Sequence, residues 1–111
     1  MKMEFYIYQE DLIKYNVCDS NVSITEFVQR LNKTFCIEDM KKLRAEQIID
    51  YLVKEGFLER NADKTKIPST KGKLMGIGTE ERIGKDGEIY KVITYTPKGQ
   101  LYILDKIYKI I

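Results

Sequence analysis

Apolar positions recur every three to four residues in some stretches of the chain and every two in others, and these periods divide it into elements. In "SNVSITEFVQRLNKTF", Ile24, Phe27, Val28 and Leu31 share one helical face, and Ser23 with Glu26 three residues on forms a capping box. A helix is expected over about 23–33. In "RAEQIIDYLVKEGFLE", Ala45, Ile48, Ile49, Leu52 and Val53 lie on one face and Glu46, Gln47, Asp50 and Lys54 on the other. Gly56 then supplies the left-handed stop that closes a second helix. "FLE" follows at once and starts a strand, and "NADKTK", residues 61–66, is a polar turn.

From Ile83, "IGKDGEIYKVITYT" places two β-compatible runs around Asp86-Gly87, a hairpin signal because glycine accepts a positive φ. The tail, "PKGQLYILDKIYKII", opens on Pro97 and reads as one helix over 97–111 with a narrow polar stripe, so its wide apolar face must be covered. At the other end, residues 4–16 alternate aromatic side chains and then bring Leu12 and Ile13, a short strand or turn followed by a short helix.

Size and composition narrow the class. At 111 residues and 13.1 kDa the chain is one domain, and 43% apolar with 32% charged residues describes a soluble globular protein. No apolar run approaches the roughly 20 residues of a membrane span, and "MKMEFYIYQED" lacks a secretory pattern, so the expected location is the cytoplasm. With no histidine and no CxxC, the usual zinc frameworks are excluded, and Cys18 and Cys36 read as reduced thiols. No metal and no cofactor are expected. Charge is uneven: residues 1–60 hold nine Lys and Arg against eleven Asp and Glu, whereas residues 61–99 hold eight against five. Such a basic second half is a weak pointer to a polyanionic partner.

Catalysis finds little support. In "PSTKGKLMGIG" the Gly72-Lys73 pair is followed by Leu74, and Ile67 stands where a Walker loop needs its first glycine. Gly76-Ile77-Gly78 is followed by Thr79, Glu80 and Glu81, which breaks the dinucleotide fingerprint. The adjacent acid pairs Glu10-Asp11, Glu38-Asp39 and Glu80-Glu81 read as solvated surface. No enzyme is expected.

The order helix, connection, helix, strand, hairpin, helix resembles a winged helix-turn-helix domain. "AEQIIDYLVKEGFLE" followed by "IPSTKGKLMGI" is similar to the pattern in which a recognition helix ends in a Leu/Gly/Phe-Leu cluster and the next strand leads into a Thr-x-x-Gly segment. Here that glycine comes one place early, as Thr70-Lys71-Gly72, and marks the turn into a helix or the wing. The spacings Gly76 to Arg82 and Tyr90 to Gln100 are similar to those of small modules of Gram-positive bacteria and their phages. The resemblance covers roughly residues 22–111. It implies an α+β fold, mostly α, as a single winged-helix domain over 1–111: a helix-turn-helix core at 22–60, a wing region at 61–96 and a C-terminal helix at 97–111.

What the resemblance implies for function is binding of double-stranded DNA, as a small bacterial or phage transcriptional regulator or accessory factor. The second helix would enter the major groove. Arg44, Gln47, Tyr51 and Lys54 are then the base-edge candidates. Lys41, Lys42, Lys71, Lys73, Arg82, Lys85 and Lys91 are the phosphate candidates. Leu101, Leu104, Tyr108 and Ile111 on the tail would serve as core, as a homodimer seam, or as both. Against this stand Glu46, Asp50 and Glu55 on the same recognition helix. They favour the alternative, a winged-helix module that binds a protein partner, such as a phage inhibitor of a host complex.

Overall fold

The computed structural model describes residues 2–63 and 65–111. It is an α+β fold in which helices hold 43% of the residues and strands 22%, so helix outweighs strand as expected. None of the described helices is long and apolar enough to cross a membrane.

Residues 5–8 run extended, with Phe5 and Ile7 buried, into the short helix α1 (Gln9–Lys14). The two-residue strand β1 (Val22–Ser23) leads directly into α2 (Ile24–Phe35). The capping box forms as read: the Ser23 hydroxyl accepts from the Glu26 amide at 3.2 Å, and the Glu26 carboxylate accepts from the Ser23 amide at 2.8 Å. α2 runs two residues past the expected 33, because Phe35 packs on Tyr15 with ring centroids 5.3 Å apart.

The connection to the next helix is held by one side chain. Asn32 accepts from the Leu43 amide at 2.8 Å and donates to the Leu43 carbonyl at 3.0 Å, as a neighbouring strand would. α3 (Ala45–Lys54) buries Ile48 and Leu52, and Gly56 closes it at φ +82°. Burying each such side chain contributes about 1.5–3 kcal/mol.

Beyond Gly56 the chain departs from the expected route. β2 (Leu58–Arg60) and β3 (Lys66–Pro68) form a small antiparallel hairpin of their own. Ser69 then caps α4 (Thr70–Met75), accepting from the Gly72 amide at 3.0 Å while donating to the Gly56 carbonyl at 2.6 Å. The glycine-rich stretch is therefore a strand end, a cap, a helix and a left-handed stop at Gly76, φ +108°. Gly72 is required for a second reason. A Cβ there would lie 2.1 Å from the Phe57 carbonyl oxygen.

β4 (Ile77–Ile83) and β5 (Ile89–Tyr95) form the hairpin expected around Asp86-Gly87, with Gly87 at φ +83°. β1 joins the far edge of β5, so the second sheet has the order β1-β5-β4, all antiparallel. The tail is two helices rather than one. α5 (Pro97–Asp105), capped by Thr96, breaks at Lys106 before α6 (Ile107–Ile110). No proline or glycine stands at the break. It brings Ile103 and Ile107, both with no exposed surface, into a core shared with Phe27, Leu31, Ile48 and Leu52.

Candidate interaction surfaces

α3 is the candidate recognition helix, and its outward face is acidic. Glu46, Asp50 and Glu55 are exposed on it, with Lys54 the one exposed cation within its span. Asp50 is bound by Arg60 of β2 at 3.1 Å. Arg44 is exposed at the N-cap, and the helix spans about 15 Å from there to Lys54 at 1.5 Å per residue. Gln47 is half-buried and its carbonyl oxygen accepts from the Arg44 backbone amide at 3.0 Å, so pairing both its groups with an adenine edge would break that bond. Tyr51 is half-buried; desolvation first, then the neighbouring Tyr102 and Glu55, push its phenol above the ordinary value.

The seven phosphate candidates divide among several places. Lys41 pairs with Glu4 at 3.1 Å. Lys71 donates to the Glu55 carbonyl at 2.8 Å and sits 4.4 Å over the Phe57 ring, where it complements the negative end of α3. That places Lys71 at the end of α3 opposite Arg44. Arg82 bridges Glu26 at 3.0 Å and Glu80 at 3.7 Å, beside the start of α2. The Ser23 backbone amide, and next the Arg82 guanidinium, hold the Glu26 carboxyl below its ordinary range. Lys42, Lys73, Lys85 and Lys91 are exposed and make no ion pair among the described residues.

The β4–β5 hairpin carries Glu80, Glu81, Asp86 and Glu88 against Arg82, Lys85 and Lys91, so acids outnumber bases on the wing candidate. Its end is apolar. Ile83 and Ile89 are cross-strand partners with 74% and 67% of their surface exposed, and Tyr90 beside them is 49% exposed. By the period of two, one hairpin face carries Thr79, Ile93, Glu81, Lys91, Ile83 and Ile89, and the other Glu80, Val92, Arg82 and Tyr90.

The tail residues expected at a dimer seam separate. Leu104 is 6% exposed and belongs to the core, whereas Leu101 is 56% exposed. Tyr108 donates to the Ile7 carbonyl and its ring lies 5.6 Å from that of Tyr6, tying it to the N-terminal segment. Ile111 is half-buried against the core. Cys18 and Cys36 are unpaired and half-buried.

Two features escaped the sequence reading. Gln100, without exposed surface, accepts from the Cys18 amide and donates to the Ser20 and Tyr95 carbonyls, each at 3.0 Å. Its signal was its place three, four and seven residues before the apolar Ile103, Leu104 and Ile107. The other is a cleft of about 390 Å³ where the two hairpins and the start of α2 meet. Ile49, Leu58 and Ile93 lie at its walls, with Lys66 and Lys91 beside them. It depends on the β2–β3 hairpin, which no periodicity announced. No protein-family model, curated protein or solved structure matches the chain.

Proposed function

We propose that the chain is a winged-helix domain that acts by binding rather than by chemistry, and that its partner is a protein. The strand order supports the architecture. α2 and α3 lie in sequence between β1 and the β4–β5 hairpin, and β1 pairs with the returning strand of that hairpin. In this reading β4–β5 is the wing, and β2, β3 and α4 are an insertion between it and the recognition helix.

The observation that carries the choice of partner is the wing itself: more acids than bases, ending in the cross-strand pair Ile83 and Ile89 exposed on one face, with Tyr90 exposed on the other. An apolar patch rimmed by charge suits a protein surface, whereas duplex phosphates repel such a wing and the acidic face of α3. The dispersal of Arg44, Lys71 and Arg82 over different neighbours points the same way.

Duplex DNA remains as a second reading on one specific observation. Lys42 and Arg44 are exposed at the N-terminal end of α3, the end from which recognition helices touch base edges. Electrophoretic mobility of a random-sequence duplex at low salt separates the two. The expected result is an unshifted duplex at about 10 µM protein, well above the concentration at which a cationic reader coats DNA under those conditions. A retarded duplex overturns the protein-partner reading. A photo-crosslinking residue at position 89, compared with one at position 14, supplies the positive arm: discrete protein adducts are expected from 89 alone.

A further inference from the structure

β5 is a central strand at one end and an edge at the other. β1 pairs only with Thr94 and Tyr95, so residues 89–92 have β4 on one side and no strand on the other. The orientation of the free groups follows from the ladder. Gly84 donates to the Glu88 carbonyl and Thr96 to the Gly76 carbonyl, which makes Tyr90, Val92 and Thr94 the residues bonded to β4. The N–H and C=O of Ile89 and Lys91 therefore point away from β4, toward the side that β1 leaves open.

The cleft lies beside this opening. Ser23, Ile24 and Thr25 border it where β1 ends, Lys91, Val92 and Ile93 border it from β5, and Lys66 faces in from β3. A second, smaller opening between the same hairpins shares Lys66, Ile93 and Lys91. Lys66 and Lys91 make no ion pair among the described residues, and Glu81, directly across from Lys91 on β4, does not approach it within 4.0 Å. The site thus offers backbone groups that β4 leaves free, apolar walls and two ammonium groups without an ion pair among the described residues, Lys66 also lying near Glu46 and Asp50.

We infer that this edge receives an extended peptide strand from the partner protein, antiparallel to β5, with an acidic residue opposite Lys91 and apolar residues two places to either side. Antiparallel follows from both existing partners of β5. The spacing follows from the pleat: residues directly opposite share a face, so the partner's alternate side chains meet Ile93, Lys91 and Ile89. Main-chain hydrogen bonds hold the strand and the alternate positions select it, as in other strand-addition complexes. A second copy of this chain suits the edge less well, since it presents Lys91 again where the site calls for an acid. Single-stranded nucleic acid would satisfy the lysines and leave the backbone groups of Ile89 and Lys91 unused.

This inference rests on the protein-partner reading, and the two fail separately. A display library of random nine-residue peptides panned on the full chain is expected to enrich apolar-x-acid-x-apolar sequences. A synthetic peptide of the enriched sequence should shift the Lys91 amide resonance on titration. Lys91→Glu should weaken that peptide at least tenfold and favour its Lys-substituted counterpart. Lys91→Pro removes an N–H that the β4 ladder does not use and should abolish binding; if that variant does not fold, the charge reversal still decides. The inference is overturned if no peptide is enriched, if binding survives charge reversal, if oligo(dT) displaces the peptide, or if sedimentation shows the edge closed by a second copy. Failure on these counts with crosslinks from position 89 intact removes the strand site and leaves the protein partner; a retarded duplex removes the partner reading itself.

Discussion

Gln100 joins three parts of the chain through one amide: the loop at Cys18 and Ser20, the end of β5 at Tyr95, and its own helix α5. Leucine would fill similar space and strand one donor and two acceptors. Each buried unsatisfied group costs about 1–3 kcal/mol, so Gln100→Leu is expected to lose at least about 2 kcal/mol in a denaturant titration. Gln100→Glu gives a different signature. A carboxylate facing two carbonyls has its pKa raised on folding, so the variant is most stable while protonated and loses stability as pH rises above the ordinary carboxylate range. A flat pH profile would refute that placement. Glycines give a second contrast at this scale. Alanine is the better helix former by about 1 kcal/mol, yet Gly72→Ala drives a methyl against the Phe57 carbonyl and should cost about 1–3 kcal/mol net. Gly78→Ala meets no atom within 4 Å and should be neutral or gain up to about 1 kcal/mol from the unfolded chain. Thermal melts of the pair check both.

Among the elements, those with local instructions were legible. Ser23 and Glu26 announced α2, Gly56 ended α3 where expected, and Asp86-Gly87 turned the hairpin. The capping box also has a pH signature. Glu26 has its carboxyl held below the ordinary 4.5, chiefly by the Ser23 amide and then by Arg82. Its contribution is complete above that value and is lost as pH falls through the folded pKa. Glu26→Gln, which keeps an acceptor for the cap and loses the charge, should flatten this acid limb. At neutral pH it should cost under about 1 kcal/mol because the pair is partly exposed. An unchanged limb would show that the charge contributes nothing. By contrast, α4 is too short to carry a helical period, β2 and β3 are three residues each, and the break at Lys106 follows from packing rather than from any local breaker. The tail also divides by burial: Leu104→Ala should cost about 2–5 kcal/mol, while Leu101→Ala should leave the unfolding midpoint unchanged.

For the whole molecule, the pieces were easier to read than their neighbours. Which residues form a helix is written in nearby spacing; that Thr94 and Tyr95 pair with Ser23 and Val22, across most of the chain, is written nowhere local. The candidate binding residues failed to gather for the same reason. Arg82 is a phosphate candidate in the sequence, where nothing near it reveals its partner Glu26. The basic second half is likewise thinned, since Lys71 caps α3 and Arg82 bridges two carboxylates, while Lys66, Lys73, Lys85 and Lys91 make no ion pair among the described residues. With Leu104 inside the core and Tyr108 tied to Ile7, Leu101 is the most exposed side chain of the expected seam, 56% against 37% for Tyr108. Sedimentation at micromolar concentration is therefore expected to give a monomer, and a dimer abolished by Leu101→Asp would restore the seam.

The contact between Tyr108 and Ile7 brings together two segments separated by almost the full chain. Met3 meanwhile bridges to Met40, so the first residues lie along the core beside the last helix instead of trailing from it. Two such touching segments can be linked and the chain rewired. Joining residues 2 and 111 by a Gly/Ser linker and opening new ends between Ala62 and Asp63, in the exposed turn between β2 and β3, should preserve the core and the three-stranded sheet. Such a permutant would shorten the chain between β1 and its partner β5, and a faster refolding phase is the expected outcome.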